Sequence, residues 1–289
     1  MSDSSWIGAA ALLRDRREPG VLVTLAKVRG HAPRLAGAKM VVSADRLWGS
    51  IGGGSLEAAM VERARALIGM AEAQPELVEF SLSDRAVGDH GVQCCGGAAT
   101  VLVEPLAVPP AVAVFGFGHV GFELARILAR HDLDLHVIDS RAEQLDRKRL
   151  AVLDDALARI HAHHAPILPE TVLDQLPDDC HILIMTHDHA EDAALCDAVL
   201  RRDRFSSVGL IGSSAKWARF RKLLVEEGGH TEASISRITT PVGLADITGK
   251  EPATIALSIA ADLVRVFERR TAAALPPRGA TRGITAQHQ

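Results

Sequence analysis

Residues 111–139, AVAVFGFGHVGFELARILARHDLDLHVID, constrain this chain more than any other stretch. The unbroken apolar run AVAVFG (111–116) is the pattern of a strand buried on both faces, which belongs inside a parallel sheet. It passes through a glycine turn into the helical pattern HVGFELARILARH, and a second strand pattern, LDLHVID, ends at Asp139. The alternation returns in CHILIMT before a helix containing AALCDAVLRR, and in SSVGLIG before AKWARFRKLLVEEG. Repeated strand-then-helix units predict an α/β fold with a doubly wound, Rossmann-like parallel sheet and helices on both faces. The last helical pattern, EPATIALSIAADLVRVFERR, is apolar over most of its circumference and is expected to pack against a domain or another subunit.

Residues 21 to about 105 have a different texture. Their apolar runs are short and rich in Val, Leu and Thr (VLVTLAKV, AKMVVSA, LVEFSL, ATVLVEPL), with one helical stretch from Ser55 to about Met70. This predicts a smaller α+β domain over residues 1–107. The three prolines of EPLAVPP are expected to stop any strand or helix and to form a hinge near 105–110. The Rossmann-like domain then covers 108–270, and 271–289, poor in core-forming residues, is expected to be a disordered tail.

Composition bounds the function classes. With 289 residues, 47% of them hydrophobic, the chain can bury two modest cores, and no apolar run approaches the roughly 18 residues of a membrane span. The opening MSDSSWIGAAALLRDRREPG has no basic residue ahead of its short apolar stretch, which argues against a targeting segment and makes the cytoplasm the expected location. A net charge of −4 lacks the basic field that nucleic acid requires, so the expected ligand is small. The four cysteines, Cys94, Cys95, Cys180 and Cys196, do not form a disulfide framework. Cys180 and Cys196 sit at or within apolar patterns and are expected in the core.

GFGHVG places Gly116, Gly118 and Gly121 in the G-x-G-x-x-G spacing, with His119 opening the helix and Asp139 ending the next strand eighteen residues past the third glycine. Gly116 permits the tight turn, Gly118 lets a diphosphate approach the backbone, and Gly121 lets helix and strand pack closely. The helix N-terminus offers N–H groups to an anion, and Asp139 could accept from a ribose hydroxyl. Arg141 raises the NADP question, although the acid argues against a 2′-phosphate. A reused Rossmann fold without a nucleotide is the competing interpretation.

Further sites are legible at lower specificity. In WGSIGGGSLE, Gly52, Gly53 and Gly54 could form an N–H nest for an anion, with Ser55 capping the next helix and Glu57 in its first turn; an ordinary capping loop is the alternative. In THDHAED, His187 and His189 with Asp188 and Asp192 could ligate a metal or shuttle protons, but no second cluster completes a metal set. Ser213, Ser214 and Lys216 suit a phosphate or a plain helix cap. VQCCGG sets Gln93 beside the vicinal thiols Cys94 and Cys95 in a glycine-flanked segment, where an accessible thiolate or a buried strand start are both open.

Taken in order, AGAKMVVSADRLWGSIGGGSLE, VQCCGG, VFGFGHVG, IDSR, MTHDHAEDAALC, VGLIGSSAKWARF and PVGLADITGKEPATIALSIAADLV resemble the XdhC family of xanthine dehydrogenase accessory proteins, from about residue 19 to 268. The resemblance implies an N-terminal XdhC/CoxI-type domain and a C-terminal Rossmann domain. It also implies a chaperone that binds molybdenum cofactor in its molybdopterin form, shields it, supports its sulfuration and passes it to apo xanthine dehydrogenase. Implied partners are the molybdenum subunit of that enzyme and a cysteine desulfurase, with self-association into a homodimer. Against that background the candidate cofactor contacts are Gly52, Gly53, Gly54, Glu57, Gln93, Cys94, Cys95, Gly116, Gly118, His119, Gly121, Asp139, His187 and Ser213, with Cys95 the candidate molybdenum contact. The alternative is an NAD-dependent oxidoreductase that uses the glycine turn and Asp139, with His119 or His187 as proton donor; NADP is the less favoured cofactor. A metal-dependent hydrolase built on His187 and His189 ranks third.

Overall fold

The computed structural model describes residues 5–30, 32–70, 73–81 and 97–272, with side chains through Glu268. Two compact units divide the chain, one containing the residues through Val108 and the other spanning Pro109–Glu268. Thr271 and Ala272, the first two residues of the expected tail, instead end the last helix; the rest of that tail and the Cys94–Cys95 pair lie outside the described residues.

The first unit opens with helix α1 (Trp6–Arg16), capped by the Ser5 hydroxyl, which accepts from the Gly8 N–H at 3.1 Å. Strands β1 (Gly20–Arg29), β2 (Lys39–Val42), β3 (Leu47–Gly49), β4 (Glu76–Ser81) and β5 (Ala98–Leu106) form an antiparallel sheet in the order β3-β2-β1-β5-β4, and helix α2 (Gly54–Ile68) joins β3 to β4. Strand alternation sends Val21, Val23 and Leu25 of β1 and Val101 and Val103 of β5 to one face, where Leu56, Met60, Ala64 and Leu67 of α2 cover them. Ala9 and Leu13 of α1 pack in a second cluster with Val41 and Leu22. The prolines behave differently from expectation, because Pro105 lies inside β5, opposite Val21. β4 stops pairing with β5 at Val103, so no partner strand on that side requires the N–H that proline lacks.

In the second unit the apolar runs become β6 (Ala111–Phe115) and β7 (Asp134–Asp139), joined by α3 (His119–Leu128). After α4 (Arg147–Leu150) come β8 (Arg159–His164), β9 (His181–Ile184), α5 (His189–Leu200), β10 (Ser207–Leu210), α6 (Ser214–Glu226), α7 (Glu232–Ile235), β11 (Ile238–Thr239) and α8 (Pro252–Ala272). The six strands are parallel in the order β11-β10-β9-β6-β7-β8, a doubly wound Rossmann-like sheet. Ala111, Ala113 and Phe115 of β6 enter one core and Val112 and Val114 the other, which is why the strand reads as continuous rather than alternating. Cys180 and Cys196 are both buried in the first of these cores, and burial pushes the Cys196 thiol up to about 12, so it stays an inert small hydrophobe.

Helix α8, expected to pack against a domain or another subunit, packs on the second core of the Rossmann-like unit. Ala256, Ile259, Ala260 and Leu263 form one buried stripe at helical spacing, while Leu257 is 54% exposed. Among the described residues no helix is long and apolar enough to cross a membrane.

Candidate functional site

The parallel sheet reverses its winding between β6 and β9, and ligands of such sheets bind beyond the carboxyl ends of the strands at that point. The turn leaving β6 is built for close approach. Gly116 sits at φ +105°, and a Cβ there would strike the Met185 carbonyl; a Cβ on Gly121 would strike the Gly116 carbonyl. Gly118 is open, with the Arg141 guanidinium, 3.8 Å from where its Cβ would be, as the nearest neighbour. Gly118 is also the N-cap of α3, and no side chain caps the helix there. The leading N–H groups of α3 therefore lack a side-chain acceptor and carry the positive end of the helix dipole. His119 is exposed at the first position.

Asp139 is engaged differently from its expected role. Its side chain is only 1% exposed. Oδ2 accepts from the Phe117 N–H at 2.7 Å and from Arg141 Nη2 at 3.0 Å, and Oδ1 accepts from the Arg141 N–H and Nε, both at 2.9 Å. A carboxylate has about four acceptor positions, and all four are filled from within the chain. Burial disfavours the charge, but the Arg141 side chain, the backbone N–H donors and the Arg141 charge outweigh it and hold the carboxyl below its usual value. No acceptor remains for a ribose hydroxyl in this arrangement.

The rim of the crevice is a polar network. Arg149 donates to the carbonyls of Phe117 (3.1 Å) and Gln144 (3.2 Å), with its guanidinium carbon 4.5 Å from the Phe122 ring centroid, contacts that hold its cation beside the glycine turn. Ser140 donates to Glu191 at 3.2 Å, tying the end of β7 to the first turn of α5. Burial, with help from Asp139 and Asp192, pushes the Glu191 carboxyl up, against the Ser140 bond and the His187 charge. Asp192, fully buried, is paired with Lys216 and accepts from Thr186 Oγ1 at 2.7 Å and from the Thr186 N–H at 3.1 Å, which fixes the loop after β9. Arg149, Ser140 and Glu191 carry no signal in sequence, because each is recognisable only by the neighbour that the sheet order brings to it.

Other predicted residues resolve into local roles. Asp188 caps α5 by accepting from the Ala190 and Glu191 N–H groups, His189 lies 3.1 Å from Arg219, and His187 is exposed. Among the described residues no group of three or more His, Cys, Asp or Glu could hold a metal ion. Ser213 caps α6, its hydroxyl accepting from the Lys216 N–H at 3.2 Å, so the helix-cap alternative applies.

The Gly52–Gly54 nest exists but is filled. Gly52, Gly53 and Gly54 all adopt positive φ (131°, 74° and 64°), and the anion in their nest is the chain's own Glu57. Its Oε2 accepts from Ser50 Oγ at 2.6 Å and from the Ile51 and Gly53 N–H groups at 3.1 Å. Burial opposes the charge, yet the Ser50 bond and the Gly53, Ile51 and Gly52 N–H groups hold the carboxyl below its usual value. The N-cap of α2 is Gly53 rather than Ser55, which lies inside the helix; three consecutive positive φ angles carry the chain into α2 two residues earlier than a serine cap would. The fold thus gathers Gly116, Gly118, His119, Gly121 and Asp139, with the loops of His187 and Ser213, at the carboxyl edge of the parallel sheet. It keeps Gly52, Gly53, Gly54 and Glu57 in the antiparallel unit, and Gln93, Cys94 and Cys95 fall outside the described residues.

Comparison with known proteins places this geometry. The chain is 29% identical to the uncharacterized protein YqeB of Escherichia coli K12 over 258 residues, covering 89% of this chain and 45% of YqeB, so it spans less than half of that relative. It is 25% identical to the molybdenum cofactor insertion chaperone PaoD of the same organism, covering 89% of this chain and 86% of PaoD. A Bacillus halodurans crystal structure described as a xanthine dehydrogenase shares 20% identity over 96% of this chain and 98% of its own, at a TM-score of 0.46, a likeness too loose to carry an argument. The pattern of the XdhC Rossmann domain matches residues 112–263, which include the whole glycine turn and the strand ending in Asp139, and that of the XdhC and CoxI family matches residues 13–81. On the strength of these matches, which take in more than half of its length and agree with the order of its two units, the chain belongs to the XdhC and CoxI family.

Proposed function

We propose that this protein is a molybdenum cofactor chaperone, which holds the cofactor in its molybdopterin form, supports its sulfuration and hands it to an apo molybdenum hydroxylase of the xanthine dehydrogenase type. The observation that carries the reading is the relation to PaoD across nearly the full length of both chains. The local geometry supports it. Both glycine turns enter their helices without a side-chain cap and with open space at the middle glycine, but Arg149 stands beside the one at 116–121, and this suits the phosphate of a pterin cargo. The 52–54 nest does not fit that role, since Glu57 fills it.

In this reading the N–H groups at the start of α3 bind the phosphate, while His119 and His187 supply exposed polar contacts at the rim. Cys94 or Cys95, with Cys95 preferred beside its glycine pair, offers a soft thiolate to molybdenum or relays sulfur from a cysteine desulfurase. The chain acts as a homodimer in the cytoplasm, with the molybdenum subunit of the client as its other partner.

Anaerobic purification followed by oxidation of bound pterin to its fluorescent derivative tests the proposal. Stoichiometric pterin fluorescence is expected, and its absence from protein made in cells competent for cofactor synthesis would overturn the reading. A Cys94→Ala, Cys95→Ala double variant should retain pterin but fail to support active xanthine dehydrogenase; normal activation would remove the thiols from the mechanism.

A further inference from the structure

We propose that Arg141 sets the ligand specificity of the crevice by acting through Asp139: it fills the acceptors that would recognise a ribose diol and so turns the site away from adenine dinucleotides and toward ligands that present a phosphate ester alone. The proposal rests on the chaperone reading only in placing a ligand at this glycine turn.

Rossmann sites bind dinucleotides through two contacts, the diphosphate at the helix N-terminus and the ribose hydroxyls at the acid ending the second strand. Here the first element is present and the second is spent. Asp139 stands at the expected place, but the Nε and Nη2 donors of Arg141 take one position on each carboxylate oxygen, and the Phe117 and Arg141 N–H groups take the others. For a ribose to bind, it would have to displace the guanidinium from a carboxylate that is almost wholly buried, exchanging two bonds between opposite charges for two in which only the acceptor is charged. The same fork has a second effect. An unpaired carboxylate beside the glycine turn would repel an incoming phosphate, and Arg141 cancels that charge while lying 3.8 Å from the Cβ position of Gly118. The charged neighbours of Arg141 are Asp139, Glu143 and Glu191, and Asp139 alone receives the fork.

Removing the fork should therefore reverse the preference. The two backbone donors to Asp139 remain and keep it an oriented carboxylate, with two acceptor positions newly open.

Full-length protein titrated with NADH, followed by nicotinamide fluorescence, tests this. The wild-type chain is expected to show no saturation below about 1 mM, the weak end of specific binding. Arg141→Met, which keeps most of the aliphatic stem, should bind NADH at least about tenfold more tightly, the scale of one hydrogen bond to a charged group. Arg141→Lys, which keeps the charge without the fork, should gain less. Adding Asp139→Asn to Arg141→Met should abolish the gain, which a merely loosened crevice would not do. Micromolar binding by the wild type, no gain in a folded Arg141 variant, or a gain that survives Asp139→Asn would each overturn the proposal. Should neither variant fold, the wild-type titration decides alone, saturation at micromolar NADH overturning the proposal and its absence sustaining it. The pterin assay reads a different ligand, so its failure would remove the chaperone reading and leave these comparisons intact.

Discussion

The chain has two glycine turns that each lead into a helix, and they are finished in opposite ways. At 52–54 the backbone curls through three positive φ angles around Glu57, so the nest is a closed internal contact. At 116–121 only Gly116 among the three motif glycines has positive φ, and the other close approach is between helix and strand at Gly121; the N-terminus of α3, like that of α2, has no side-chain cap. The difference teaches that a glycine-rich turn marks where N–H groups converge, while the nearest acid decides whether they remain available. Glu57 reaches its own nest, whereas Asp139, the acid nearest the second turn, takes the Phe117 N–H and is then saturated by Arg141.

The largest effect that would test this contrast comes from the closed side of the second turn. Gly121→Val drives a branched side chain into the Gly116 carbonyl and should cost at least about 3 kcal/mol, read as a large drop in melting temperature. A near-neutral result would mean that α3 is not clamped to β6. Glu57→Ala should cost about 2 kcal/mol by stranding the Ser50, Ile51 and Gly53 donors, and inorganic phosphate should then raise the variant's melting temperature more than the wild type's. Equal responses to phosphate would show that the vacated nest is not an anion site.

Next in size is Gly53→Ala, where space is open but φ is +74°, so the cost should be about 1 kcal/mol from backbone strain alone. The smallest effect is in acid. Glu57 and Asp139 both titrate below their unfolded values of about 4.3 and 3.9, so each contributes stability that is present above those values and lost as pH falls through the folded ones. Chemical denaturation of Glu57→Gln should accordingly show a shallower loss of stability below about pH 4.3 than the wild type; parallel curves would mean that Glu57 is not held ionised by its nest.

Much of this molecule is legible one-dimensionally. The runs 111–115 and 182–185 are apolar without alternation because both faces of β6 and β9 are buried, and that pattern is local; β7 is buried as well but places Asp134 and His136 between Leu133, Leu135 and Val137. Strand β8, RIHAHH, carries no such signal because it lies at the sheet edge, where His161 and His163 are only partly covered and His164 is exposed. Helix α1 and the short strands β3 and β11 are equally silent, since α1 is held by a capping serine and a few contacts and the strands by their neighbours' ladders.

The sequence by itself determined the parallel Rossmann-like sheet, the smaller α+β unit ahead of it, the glycine turn and the family, because each depends on spacing along the chain. Only the tertiary structure decided what the polar groups do. Glu57 in its nest, the Arg141 fork on Asp139, the Ser140 to Glu191 tie and the Asp192 to Lys216 pair are set by which donor arrives first at each acceptor in a folded, partly dry environment. A carboxylate has few acceptor positions, and burial makes filling them decisive.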